Sequence, residues 1–122
     1  MGRSLSRTEV EQFDHIPREV ALRARLHRVR LLSPGAHGMT DGRHVLLLRG
    51  HEDRAVLIAH ELVHVRQYAE RGHVRFLARY LWDYARNLVR LRSHRQAYLA
   101  IPTEVEARAE AKRWATAHPD VA

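Results

Sequence analysis

The stretch DRAVLIAHELVHVRQYAERG, Asp53 to Gly72, decides how the rest of the chain is read. From Arg54 to Arg71 it contains no glycine or proline, so nothing interrupts a helix. Asp53 stands where an N-cap is expected and Gly72 where a C-terminal cap is expected. Inside it, His60-Glu61-Leu62-Val63-His64 spells HExxH. Residues four apart on a helix differ by about 40° around the axis, so both imidazoles project from one face and can meet a single tetrahedral Zn²⁺. Glu61 lies about 100° from His60, beside such an ion, where a general base acting on water belongs. The chain has ten histidines, and its composition yields about 0.06 accidental HExxH matches, so the motif needs support from its surroundings. The unbroken helix and the strand pattern before it supply that support.

A tetrahedral catalytic zinc requires a third protein ligand and an open position. There are no cysteines, so the ligand must be His, Asp or Glu. Glu70 follows at a spacing some zinc peptidases use. Position 67 is Gln67 rather than glycine, so the helix runs on and Glu70 points about 80° or more away. His73, just past Gly72, reads as a helix-end residue. The better source is IPTEVEARAEA, residues 101–111, which opens another helix. Thr103 with Glu106 three residues later matches a capping box, which gives Glu106 a structural task and leaves Glu104 as the preferred ligand, with Glu106 as the alternative. An acidic first turn favoured by the helix dipole would account for both without a metal.

Outward from these two helices the chain reads as one α+β domain of 122 residues. The segment from Thr8 to about Leu26 reads as one or two short helical turns. HRVRLL (27–32) and HVLLLR (44–49) read as strands of a small sheet or ribbon, separated by the loop SPGAHGMTDGR (33–43). A second long helix runs from His73 or Val74 to about Arg92. Phe76, Leu77, Tyr80, Leu81, Tyr84, Leu88 and Leu91 fall within roughly 140° of one another, and Arg75, Arg79, Arg86 and Arg90 within roughly 60° elsewhere, which predicts packing by the aromatic face and a solvated arginine stripe. A last helix spans Glu104 to about Ala117.

With 45% hydrophobic and 29% charged residues the composition is globular. The longest apolar run is AVLIA (55–59), too short to cross a bilayer. The N-terminus is polar and basic without a secretory signal, which places the protein in the cytoplasm unless a non-classical route exports it. The net charge of +7 comes from twenty arginines and the single Lys112. No nucleic-acid motif accompanies it, so no specific nucleic-acid partner is expected. Nothing in the sequence fixes an oligomeric state.

HELVHVRQ with a distal ExEA helix resembles the gluzincin-type zinc peptidases. GAHGMTDGRHVLLLRG followed by LIAHELVHVRQY is similar to the small zincin-like domain found beside extracellular contractile injection systems and toxin loci. The resemblance implies His60, His64 and Glu104 as zinc ligands, Glu61 as general base and a peptide or protein substrate. Gln67 fits the same pattern, with a supporting hydrogen bond or packing as its expected part. Many gluzincins follow ExxA with an aspartate that supports a metal-bound histidine; Arg108 stands there instead, with Glu110 or Asp41 as substitutes. Tyr98, Arg95 and His94 are the candidates for stabilising a transition state. Two other readings stand beside hydrolysis: a metal-stabilised scaffold or interaction module, and an arginine-rich binder of nucleic acid or membrane.

Overall fold

A computed structural model describes residues 2–122. Two short helices, α1 (Arg7–Gln12) and α2 (Arg18–Arg23), follow a two-residue strand β1 (Arg3–Ser4). Strands β2 (Arg25–Val29), β3 (Gly38–Asp41) and β4 (His44–Leu48) come next, and then helices α3 (Ala55–Arg71), α4 (His73–Leu91), α5 (His94–Leu99) and α6 (Pro102–Ala117). The architecture is α+β, as the sequence indicates.

The sheet has four strands in the order β1-β2-β4-β3. The two strands legible in the sequence pair in parallel, Leu26 opposite Val45 and Val29 opposite Leu48, so they are not the arms of a ribbon. Between them the supposed loop contains β3, which lies antiparallel to β4 on the open edge. A turn at Gly42, whose φ of +64° favours glycine, reverses the chain from β3 into β4. Alternation along β4 sends Val45 and Leu47 into the core, while His44, Leu46 and Leu48 take the other face.

That core is closed by α3, whose Ile58, Ala59, Leu62 and Val65 meet the sheet, α1, α2 and Trp114 of α6. Trp114 stacks on Phe13 and donates its indole N–H to the Gln12 carbonyl at 2.8 Å, tying the two ends of the chain together. The long helices fall where expected, with corrections at their ends. The N-cap of α3 is Arg54 rather than Asp53, and it makes no side-chain cap. For α6 the N-cap is Ile101, with Pro102 in the first turn; Thr103 is already inside the helix, its hydroxyl buried without a partner, so the capping box does not form.

α4 departs most from expectation. Its buried line is Phe76, Asp83 and Asn87. Asn87 donates to the Ala97 carbonyl of α5 at 3.1 Å, which ties the helix to α5, while Asp83 pairs within α4 with Arg79 at 3.2 Å. Leu77, Leu81 and Leu88, placed by periodicity on a packed aromatic face, are exposed. Among the described residues no helix is long and apolar enough to cross a membrane.

Candidate metal centre

α3 and α6 pack side by side, and the site forms where the middle of α3 meets the first turn of α6. One buried guanidinium fixes their register: Arg66 of α3 binds Glu110 at 2.8 Å and Glu106 at 2.7 Å. That pairing turns Glu104, on another side of the turn, toward the two histidines. Glu104 Oε1 lies 3.1 Å from His60 Nε2 and 3.1 Å from His64 Nε2. One donor atom from each of the three residues falls within 4.8 Å of the others, so the group could hold a metal ion. Donors bonded at 2.0–2.2 Å in a tetrahedron stand about 3.4 Å apart, close to the two separations of 3.1 Å from Glu104.

The tautomer of His64 follows from its neighbour. Gln67 is fully buried, and its amide nitrogen donates to the Thr103 carbonyl at 3.2 Å and to Glu106 Oε1 at 2.7 Å. Its oxygen must then accept, which assigns the hydrogen to His64 Nδ1 across a 2.7 Å bond. The lone pair of His64 Nε2 is left facing Glu104, off the line of a hydrogen bond, and that nitrogen is buried without a partner. An orphaned, correctly oriented nitrogen between a histidine and a carboxylate fits a cation better than it fits a protein hydrogen bond.

Glu61 is buried on the flank of this group. Thr40, on the edge strand β3, donates its hydroxyl to Glu61 Oε1 at 2.8 Å. Gly38, two residues earlier, lets the strand come this close: a Cβ there would stand 3.1 Å from Glu61 Oε2. Burial pushes the Glu61 carboxyl above its ordinary range, against the pull of His64 and His60. Burial acts the same way on Glu104, but the neighbouring His60 and His64 and the Tyr80 hydroxyl outweigh it and hold that carboxyl well below the usual carboxylate range. His64 is raised: burial opposes its charge, and Glu104 beside it more than compensates.

These groups sit at the floor of a cavity of about 450 Å³. One wall is β3, the other is α4 with Phe76, Leu77, Tyr80 and Leu81, and Tyr98 of α5 lies on the rim. Tyr80 donates to Glu104 Oε2 at 2.7 Å, and both Tyr80 and Tyr98 have hydroxyls raised by burial and by the Glu104 charge. A more open depression of about 620 Å³ lies across α3 beside α2 and holds none of the three ligand candidates.

Of the residues singled out from the sequence, the structure brings His60, His64 and Glu104 into one group and places Glu61, Gln67 and Tyr98 around it. Glu106 is drawn away by Arg66 and Gln67, and Glu70 pairs loosely with Arg66 at 3.5 Å. Neither substitute for the missing aspartate reaches a histidine of the site, because Glu110 is held by Arg66 and Asp41 pairs with His73 at 3.0 Å. Gln67 gives that support instead. His94 Nδ1 shares a hydrogen bond with the Tyr84 hydroxyl at 2.7 Å on the surface, and Arg95 is exposed; neither lines the cavity. Arg108 donates to the Leu99 carbonyl, bracing α6 against α5. The sequence analysis missed Thr40 and Tyr80, which reach the site from other elements.

The chain is thus an α+β domain with a His-His-Glu group able to bind a metal beneath an apolar cleft. The model of the eCIS core domain matches residues 7–72, more than half of the chain, and the protein belongs to that family, which links it to extracellular contractile injection systems. The matched region carries His60, Glu61, His64, Gln67, Gly38 and Thr40; Glu104, Tyr80 and Tyr98 lie outside it. Neither the curated proteins nor the solved structures provide a match.

Proposed function

We propose that this domain is a zinc-dependent peptidase that hydrolyses peptide bonds of a protein or peptide substrate. The observation that carries the proposal is Glu61, a buried carboxyl in no ion pair among the described residues, held by Thr40 beside the His60-His64-Glu104 group in the cleft. His60 and His64, through their Nε2 atoms, and the Glu104 carboxylate would hold the zinc. Bound zinc supplies Lewis acidity toward a carbonyl oxygen and toward water.

The chain's own residues supply the rest. Glu61 accepts the proton of the attacking water and returns it to the departing amine; a carboxyl raised by burial is suited to both transfers. The Thr40 hydroxyl fixes which Glu61 oxygen is free for that exchange. Tyr80 holds the second Glu104 oxygen, so the ligand cannot swing away from the histidines. Tyr98, at the rim, is positioned to donate to an oxygen that gains charge during attack. Met39, Leu46, Leu77 and Leu81 exclude water from the cleft and accept apolar substrate groups.

Glu61→Gln tests the reading against a metal-stabilised scaffold. The variant keeps the shape and the three ligands, so zinc content stays at the wild-type level, while turnover of a fluorogenic peptide library falls by about 10²–10⁴-fold. A wild-type protein loaded with zinc that cleaves no member of the library, or a variant that cleaves as fast, overturns it.

A further inference from the structure

The outer face of α4 is exposed; Leu77 and Leu81 at one edge also wall the cleft above the metal centre, while Val74, Trp82, Leu88 and Val89 do not line it. Leu77, Leu88, Leu81, Val74, Val89 and Trp82 fall within roughly 140° of the helix circumference. All six are exposed, Val74 at 79%, Val89 at 78%, Trp82 at 61% and Leu81 at 55%. Immediately past Trp82 come Arg75, Arg86, Arg79 and Arg90 within roughly 60°. The single acid of the helix, Asp83, is buried and pairs with Arg79, so among the described residues Arg75, Arg86 and Arg90 have no balancing carboxylate from α4.

We infer that α4 is an interfacial helix that lies on anionic lipid, with its leucine and valine face in the acyl boundary and its arginines among the headgroups. Three features select this occupant. The face is a convex ridge about 28 Å long, which enters a deformable lipid interface without needing a matching groove. Trp82 stands at the border between apolar and cationic sectors, the level at which indole rings sit in a bilayer interface. The charge is complementary to anionic headgroups and hostile to a second copy, since antiparallel packing of two such faces sets arginine edge against arginine edge.

The two tryptophans make the test direct, because Trp114 is 2% exposed in the core and Trp82 is on the proposed interface. Vesicles of phosphatidylserine mixed with phosphatidylcholine are titrated into the full chain and followed by cosedimentation and tryptophan emission. Binding with a blue shift is expected, weakened by salt and absent with phosphatidylcholine alone. Changing Arg75, Arg86 and Arg90 together to Gln weakens binding on the order of a hundredfold, about fivefold per arginine. Val89→Asp, on the same face and away from the cleft, removes the blue shift without lowering Tm. The inference is overturned by failure to sediment with anionic vesicles. Binding that leaves Trp82 emission unchanged and ignores Val89→Asp overturns it too, as pure charge attraction. A lipid-free dimer that shifts Trp82 emission identifies a protein partner instead.

Discussion

α3 and α4 are adjacent helices of 17 and 19 residues that use their side chains in opposite ways. α3 buries nine residues, three of them polar: Glu61, His64 and Gln67. α4 buries three, two of them polar, and leaves most of its apolar side chains outside. Burying polar groups costs free energy unless each finds a partner, so the partners around α3 show what the burial serves. Gln67 finds three, Glu61 finds Thr40, and the one atom left over, His64 Nε2, points at Glu104. α4, in contrast, is fastened by Asn87 and Phe76 and keeps its apolar surface for something else.

Paired substitutions probe this contrast. Leu62 is fully buried and Leu81 is 55% exposed. Leu62→Ala is expected to cost about 2–5 kcal/mol of stability, measured by urea denaturation. Equal, small losses at Leu62 and Leu81 would erase the difference between the helices. Gln67→Ala, which frees the His64 ring, is expected to weaken zinc binding about 10–100-fold by competition with a chelating dye; unchanged affinity would leave Gln67 a mere packing residue. Thr40→Val keeps the volume of the side chain and loses its hydroxyl. It should lower kcat about tenfold while zinc affinity holds, and a matching fall in affinity would place Thr40 with the ligands rather than with the base. The smallest effect is Leu81→Ala, within about 0.5 kcal/mol of wild-type stability in the absence of lipid.

What could be read from the sequence follows the same division. α3 was legible because its signals are local: a span without glycine or proline, a glycine after it, and two histidines one turn apart. Glu104 was reachable from the ExEA helix and from the argument that Gln67 lets α3 run on past the site. β3 was hidden because GMTD has a glycine and an aspartate at its ends and takes its strand character from hydrogen bonds to β4. The false capping box shows a local pattern losing to a distant one: Thr103 and Glu106 have the spacing, but Pro102 starts the helix early and Arg66, 40 residues away, claims Glu106. Thr40 and Tyr80 carry no local mark at all, since each is defined only by the carboxylate it meets across the fold. The exposed face of α4 was misjudged for a related reason: periodicity shows that apolar residues share a side, not that anything packs against it.

The most direct test of the metal centre is zinc binding by isothermal titration to the wild-type domain, Glu104→Ala and Glu106→Ala. The proposed function predicts one zinc per wild-type chain, a loss of more than about tenfold in affinity for Glu104→Ala, and near wild-type affinity for Glu106→Ala. A wild-type chain that takes up no zinc, or a Glu106→Ala loss as large as that of Glu104→Ala, would contradict the account.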